Sequence, residues 1–343
     1  SPESEKLGEL LAAIHCYWIR ETDVDGFRLD AVKHMKGQDI SRFCSTIREY
    51  AYSLGKRNFF LFGEIIGNDE TGNPYIGPKM LPEDQNVYYG LDSVLDHPLH
   101  SVLAGVIKGV SSPERLLERY ASLQRNALRR GEYGDFLVTY IDDHDQVGAD
   151  FKHRFGYDAT PEQIVAGMGF LLCALGAPCI YYGTEQGLDG NGMDDRYIRE
   201  GLFNPNDTKT NVLNRNSWIY RTIADLAQLR QTEPILKFGR MYFRKTSKNT
   251  VDFHYPNCEE CLLTFSRVLH NGEILVVYNS SPKDVKVEYV LIDATINNAG
   301  GHMKCIYGGK TKVKVQKKLD RQDSRLYIKL KVKPMEFLIF KNS

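Results

Sequence analysis

The chain has 343 residues, 42% of them hydrophobic and 26% charged, which are the proportions of an ordinary globular protein. Its 44 Lys and Arg balance 44 Asp and Glu. A formal charge of zero argues against a nucleic-acid or membrane-surface role, either of which needs a large basic field. Residues 4–20 have helical periodicity, and 25–30 read as a strand. Residues 38–54 read as a helix, Phe59–Phe62 as a short apolar strand and 88–95 as a weaker strand. A charged amphipathic helix follows at 112–130, then a strand run at Phe136–Ile141.

Residues 164–184 carry no charge and imitate a membrane span in length. Gly176, Pro178 and two tyrosines interrupt them. The better reading is a buried helix to about Ala174, a turn at Gly176-Ala177 and a buried strand Cys179–Tyr182. A helix at about 216–231 closes this part. Strands separated by helices of this length predict βαβ units and a parallel sheet.

Near Thr232-Glu-Pro234 the pattern changes to short alternating runs at Thr250–Tyr255, Leu262–Arg267, Glu273–Tyr278, Arg325–Val332 and Glu336–Phe340. These predict antiparallel strands with one solvated face. Lysines at 310, 312, 314, 329, 331 and 333 repeat at spacing two and fit such a face better than an RNA-binding one. The predicted organisation is a parallel α/β domain at 1–233 and an all-β domain at 234–343.

The seven cysteines form no even framework, which leans towards a reducing compartment. Cys173 and Cys179 lie in apolar sequence and read as buried thiols. Cys258-Glu-Glu-Cys261 lacks the second ligand pair that a zinc site needs. No organic cofactor is implied.

Three predicted strands end on acidic groups. Gly26–His34 reads Gly-Phe-Arg-Leu-Asp-Ala-Val-Lys-His, with Arg28 and Asp30 on one strand face. Phe59–Glu64 ends on Gly63-Glu64, and Phe136–Asp145 ends on Asp-Asp-His-Asp. Taken singly, each is equally a cap or a structural ion pair. Three parallel strands ending this way place carboxylates at one face of a sheet, where an eight-stranded barrel carries its active site. Glycoside hydrolysis needs such a set. One carboxylate attacks the anomeric carbon or activates water, and another protonates the leaving oxygen. Glu64, after an apolar run, suits the proton donor, and Asp30, beside Arg28, suits the nucleophile. Asp145 suits a stabiliser of positive charge on the sugar ring.

Gly26–His34, Gly63-Glu64 and Asp143-His144-Asp145 resemble, in order, three of the four signature regions of the α-amylase family of retaining glycoside hydrolases. Gly176–Gly187 resembles the family's eighth strand and following loop. The resemblance implies a (β/α)8 TIM barrel, with strands 4–8 in this chain, followed by an antiparallel β-sandwich. It implies Asp30 as nucleophile, Glu64 as acid/base and Asp145 as transition-state stabiliser. Arg28 orients Asp30, His144 binds sugar hydroxyls, and Lys33 and His34 line the leaving-group side. The His34 backbone carbonyl is an implied ligand to a structural calcium. Asp195 and Arg199 resemble a sugar-gripping pair on the non-reducing side. The implied substrate is a starch-like α-glucan or maltooligosaccharide, with hydrolysis of α-1,4 bonds.

Two departures stand out. Asp143 replaces the usual Asn, which predicts like-charge repulsion with Asp145. The family's first signature region is absent from the sequence, so the first half of the barrel is expected in the same polypeptide or in a companion chain. The alternatives are an α-glucan transglycosylase on the same scaffold and a non-catalytic glucan-binding homologue. No membrane partner is implied, and the compartment is either cytoplasmic or secreted.

Overall fold

The computed structural model describes residues 2–77, 90–130, 133–146, 148–203, 212–319 and 324–342. Contacts divide the chain into two compact units, residues 1–98 with 136–139, and residues 99–135 with 140–343.

The first unit opens with helix α1 (Pro2–Thr22), strand β1 (Gly26–Leu29), helix α2 (Gly37–Ser53) and strand β2 (Phe60–Gly63). Strand β1 runs parallel to β2, with Arg28 opposite Phe62 and Leu29 opposite Gly63. Strand β3 (Ser93–Val94) extends the sheet in parallel, and Leu95 bridges in parallel to Val138. The 88–95 expectation thus contracts to two strand residues, with 88 and 89 outside the described range. Ile40, Cys44, Ile47 and Ala51 sit at helical spacing and bury one face of α2. His15 packs edge-on against both Phe27 and Phe43, at 5.0 Å each, which fixes α1 over β1 and α2. On the rest of α1, Leu7, Leu10, Ile14, Tyr17 and Trp18 are exposed.

The second unit holds most of helix α3 (His97–Lys108), which the sequence analysis did not foresee, and helix α4 (Glu114–Arg130). Helix α5 (Pro161–Cys173) starts with a reciprocal capping box between Thr160 and Gln163. Helix α6 (Trp218–Thr232) starts on the Ser217 hydroxyl. No helix among the described residues is long and apolar enough to cross a membrane. Where the strand Cys179–Tyr182 was expected, the strand is Ala177–Pro178, and Cys179 is exposed rather than buried. Similarly, Phe136 ends a helical turn, and the strand expected there shrinks to Val138–Thr139 in the first unit.

The antiparallel strands are β4 (Arg240–Phe243), β5 (Thr246–Ser247), β6 (Leu262–Leu269), β7 (Gly272–Asn279), β8 (Lys286–Leu291), β9 (His302–Tyr307), β10 (Lys312–Lys314), β11 (Gln316–Leu319), β12 (Ser324–Val332) and β13 (Phe337–Asn342). They form a six-stranded sheet, β10-β9-β13-β7-β6-β4, and a four-stranded sheet, β11-β12-β8-β5. Leu275, Val277, Ile328, Leu330 and Phe340 belong to the core between them. Residues Thr250–Tyr255 are not a strand; His254 makes one isolated bridge to Thr246. Strands β6 and β7 are buried on both faces, not one. The outer face of their sheet packs on helix: Phe265 meets Phe170 of α5 at 5.3 Å, and Tyr278 donates to the Ile107 carbonyl at 2.8 Å.

Candidate active site

In the first unit the acidic strand ends lie side by side. Arg28 Nη1 is 2.7 Å from Asp30 Oδ1, and Arg28 Nη2 is 3.2 Å from Glu64 Oε1. The strand register explains this, since the parallel pairing sets Leu29 beside Gly63 and brings both chains out together. Gly63 is required by packing: a Cβ there would lie 2.7 Å from Leu91 Cδ1 and 3.1 Å from Val32 Cγ2.

A tight turn follows Asp30. Ala31 has φ 48° and ψ 34°, in the left-handed region that an alanine rarely adopts. Its backbone N–H donates to Glu64 Oε2 at 3.2 Å. Glu64 therefore has a cation on one oxygen and a backbone donor on the other. Its side chain is 15% exposed, whereas that of Asp30 is 73% exposed. Asp30 is an accessible carboxylate on a braced arginine, not half of a buried pair. Strain of this kind, held by its surroundings, marks functional turns. Nothing in the local sequence announces it, because the residue is alanine and not glycine.

Lys33 and His34 lie in the short helical turn after Ala31, and both are exposed. Lys33 Nζ reaches the Ile66 carbonyl at 3.4 Å. A calcium shell takes six to eight oxygens. Among the described residues no group of three or more His, Cys, Asp or Glu could hold a metal.

In the second unit, Asp143 and His144 form a local pair. Asp143 Oδ1 accepts the His144 backbone N–H at 2.7 Å and lies 3.0 Å from its Nδ1. Burial pushes the Asp143 carboxyl above its ordinary value, opposed by His144. The charge of Asp145 contributes in the expected direction but less than burial does. Arg199 Nε donates to the His144 carbonyl at 2.7 Å, and its Nη2 lies 3.9 Å from Asp195. His144, Asp195 and Arg199 are thus one cluster. Lys152, which the sequence analysis missed, pairs with Asp195 at 2.8 Å and holds its carboxyl below the usual range.

Beneath this cluster lies a network that the sequence analysis also missed. Asp142 accepts from Thr184 Oγ1 at 2.7 Å and from the Phe155 N–H at 3.1 Å. Burial pushes its carboxyl up, while Thr184 and Arg154 pull it back. Arg154 is wholly buried. It donates to Glu200 at 2.5 Å and to the Tyr182 carbonyl at 2.9 Å, and lies over the Tyr181 ring at 4.4 Å. Asp142 could have been found in the Asp-Asp-His-Asp run. Arg154 and Glu200 carry no motif; the complete burial of Arg154 and its bond to Glu200 identify them.

The family description "Alpha amylase, catalytic domain" matches residues 2–222. The chain belongs to the α-amylase family. It is 32% identical over 274 residues to a β/α-amylase of Paenibacillus polymyxa, covering 77% of this chain and 19% of that protein. An α-amylase of Streptomyces lividans is 25% identical over 251 residues, 66% of this chain and 26% of that one. A cyclomaltodextrin glucanotransferase of Thermoanaerobacterium thermosulfurigenes is 29% identical over 226 residues, 65% and 27%. This family member thus spans about a fifth to a quarter of the length of these curated relatives. A solved Anoxybacillus α-amylase is similar in fold, with TM-score 0.70 at 21% identity, covering 100% of this chain and 64% of that one. The fold is the family's: parallel β/α elements followed by an antiparallel sandwich.

Proposed function

We propose that the protein is a retaining glycoside hydrolase acting on α-1,4 bonds of starch-like glucans or maltooligosaccharides. The observation that carries this reading is the Arg28 bridge. It holds an accessible carboxylate, Asp30, beside a sheltered one, Glu64, on adjacent parallel strands. Family membership supplies the reaction class.

In the proposed reaction the Asp30 carboxylate attacks the anomeric carbon. The glycosidic C–O bond breaks as Glu64 gives its proton to the leaving oxygen. Glu64, now a base, takes a proton from water, and the resulting attack releases the sugar and frees Asp30. Asp145 stabilises the positive charge that develops on the ring. His144, Asp195 and Arg199 bind the sugar, and Lys33 and His34 line the leaving-group side. The His34 carbonyl is the one calcium ligand this reading assigns. The barrel strands are assigned as the fourth to eighth, with a sandwich domain from residue 234. The exposed apolar face of α1 supports a surface that further barrel elements cover.

Transglycosylation is the second reading, supported by relatives named cyclomaltodextrin glucanotransferase. There a sugar hydroxyl replaces water in the second step. The test combines product analysis with one variant. Glu64→Gln is expected to lose at least about 10²-fold in turnover while still binding maltooligosaccharide. Retained turnover would remove Glu64 from the mechanism. Longer or cyclic products at high donor concentration would replace the hydrolase reading with the transferase one.

A further inference from the structure

The chain after Asp145 folds back on itself. The Gln146 side chain clamps His153: its Nε2 donates to the His153 carbonyl at 2.6 Å, and its Oε1 accepts the His153 N–H at 3.0 Å. Lys152 and His153 then pair antiparallel with Gly192 and Asn191. A Cβ at Gly192 would lie 2.4 Å from the Tyr197 ring. Glycine at that position lets the helical turn Asp195–Ile198 pack directly on this short ladder.

Lys152 stands where these pieces meet. Its side chain is 13% exposed. Nζ lies 2.8 Å from Asp195 Oδ1 and donates to the Gln146 carbonyl at 2.9 Å. Asp195 Oδ2 lies 3.9 Å from Arg199 Nη2, and Arg199 Nε donates to the His144 carbonyl at 2.7 Å. His144, Asp145 and Gln146 are consecutive, so the contacts close a ring through Gln146, Lys152, Asp195, Arg199 and His144. Ordering a lysine costs rotamer entropy, and ion pairs near the surface return little. Apolar side chains would hold two loops together at least as well. What a cation adds is a fixed place for one carboxylate oxygen. The same contact holds the Asp195 carboxyl below its ordinary range, so it stays an acceptor.

We propose that Lys152 is a positioning residue that sets a preference for long glucan chains. It takes Asp195 Oδ1 and so presents Oδ2, beside Arg199, to a sugar on the non-reducing side. Oδ2 and Arg199 Nη2 are too far apart for a hydrogen bond. An acceptor and a donor therefore stand side by side, with room for the hydroxyls of one sugar ring between them. The ring of contacts joins this grip to the segment that carries His144 and Asp145. Short substrates do not reach the grip and gain nothing from it. Lys152 is itself covered and acts through Asp195; it is neither a reacting group nor a sugar ligand. The assignment rests on the function proposed above, in which Asp195 and Arg199 bind the sugar.

The experiment combines steady-state kinetics on maltoheptaose with calorimetric binding of the same sugar. Lys152→Met keeps the stem, and Lys152→Arg keeps the charge; Lys152→Gln serves in place of the methionine variant should that one fail to fold. Lys152→Met should raise KM and Kd for maltoheptaose at least about tenfold, with kcat within about twofold of wild type. Lys152→Arg should recover most of the affinity. By NMR, the Asp195 carboxyl should titrate at higher pH in Lys152→Met than in wild type. Lys152→Met combined with Asp195→Asn should weaken binding no more than the stronger single change, because the lysine works through that carboxylate. A mere loop staple predicts the opposite split, with lower Tm and kcat at unchanged KM. That result, additive losses in the double variant, or an unaffected Lys152→Met would overturn the proposal. If wild type binds maltoheptaose without hydrolysing it and Lys152→Met weakens that binding, the positioning role stands and the hydrolase reading is refuted. Hydrolysis with a KM indifferent to Lys152 would do the reverse, and a wild type that does not bind maltoheptaose would overturn both.

Discussion

Arg28 Nη2 lies 3.2 Å from Glu64 Oε1 while the same guanidinium grips Asp30 at 2.7 Å. One planar, permanently charged group therefore sets the spacing of both proposed reacting carboxylates. A lysine in its place offers a single point charge on a flexible stem. Arg28→Lys is expected to lower kcat by one to two orders of magnitude, with a smaller effect on KM, since misplacement of reacting groups by about 1 Å costs roughly 10²-fold. Steady-state kinetics on a maltooligosaccharide checks this, and a variant with unchanged kcat would show that Arg28 is only a strand prop.

Asp143 makes a prediction about pH. Its folded carboxyl is held above its ordinary value by burial. Between the unfolded and folded values the native state binds more protons than the unfolded chain, so stability falls as pH rises through that window. Asp143→Asn removes the ionisation, and its amide oxygen can still accept from the His144 N–H. The variant should melt higher than wild type at neutral pH, with the advantage disappearing in acid below the ordinary carboxylate range, near pH 3.9. A difference in Tm that does not vary with pH would contradict the assignment.

Arg154 is a buried cation tied to Glu200, Asp142 and the Tyr182 carbonyl. Arg154→Met leaves Glu200 and Asp142 without their cation. The expected loss is about 3–5 kcal/mol, the usual cost of breaking a buried pair from one side. Urea unfolding would register it as a lower midpoint at unchanged slope; a cost below about 1 kcal/mol would mean that water replaces the arginine.

Gly63→Ala tests the packing before Glu64. The added methyl would overlap Leu91 and Val32, and overpacking of this kind costs about 1–3 kcal/mol. Because Glu64 is the next residue, kcat should fall along with Tm. A stable variant with full activity would show that the two strand ends tolerate displacement.

Legibility in the sequence followed the range of the physical signal. The helix at 37–53 was readable because its apolar periodicity is local, and the one at 161–173 because a charge-free apolar run marks a buried element. Arg28, Asp30 and Glu64 were readable because strand ends after apolar runs place side chains predictably. Arg154 and Glu200 were not, since 46 residues separate them and only the fold brings them together. The double burial of β6 and β7 was hidden for the same reason: a helix, not solvent, covers their second face.

Arg267 in β6 is wholly buried and donates to the Cys173 and Ala174 carbonyls at the end of α5, at 2.8 and 2.6 Å. A cation at a helix C-terminus stabilises the carbonyls that the helix leaves unbonded. The antiparallel domain therefore supplies the C-cap of helix α5. A fragment cut at the apparent boundary near residue 233 would strip that helix of its cap and leave a buried guanidinium facing water, so the two parts are best expressed, and truncated, together.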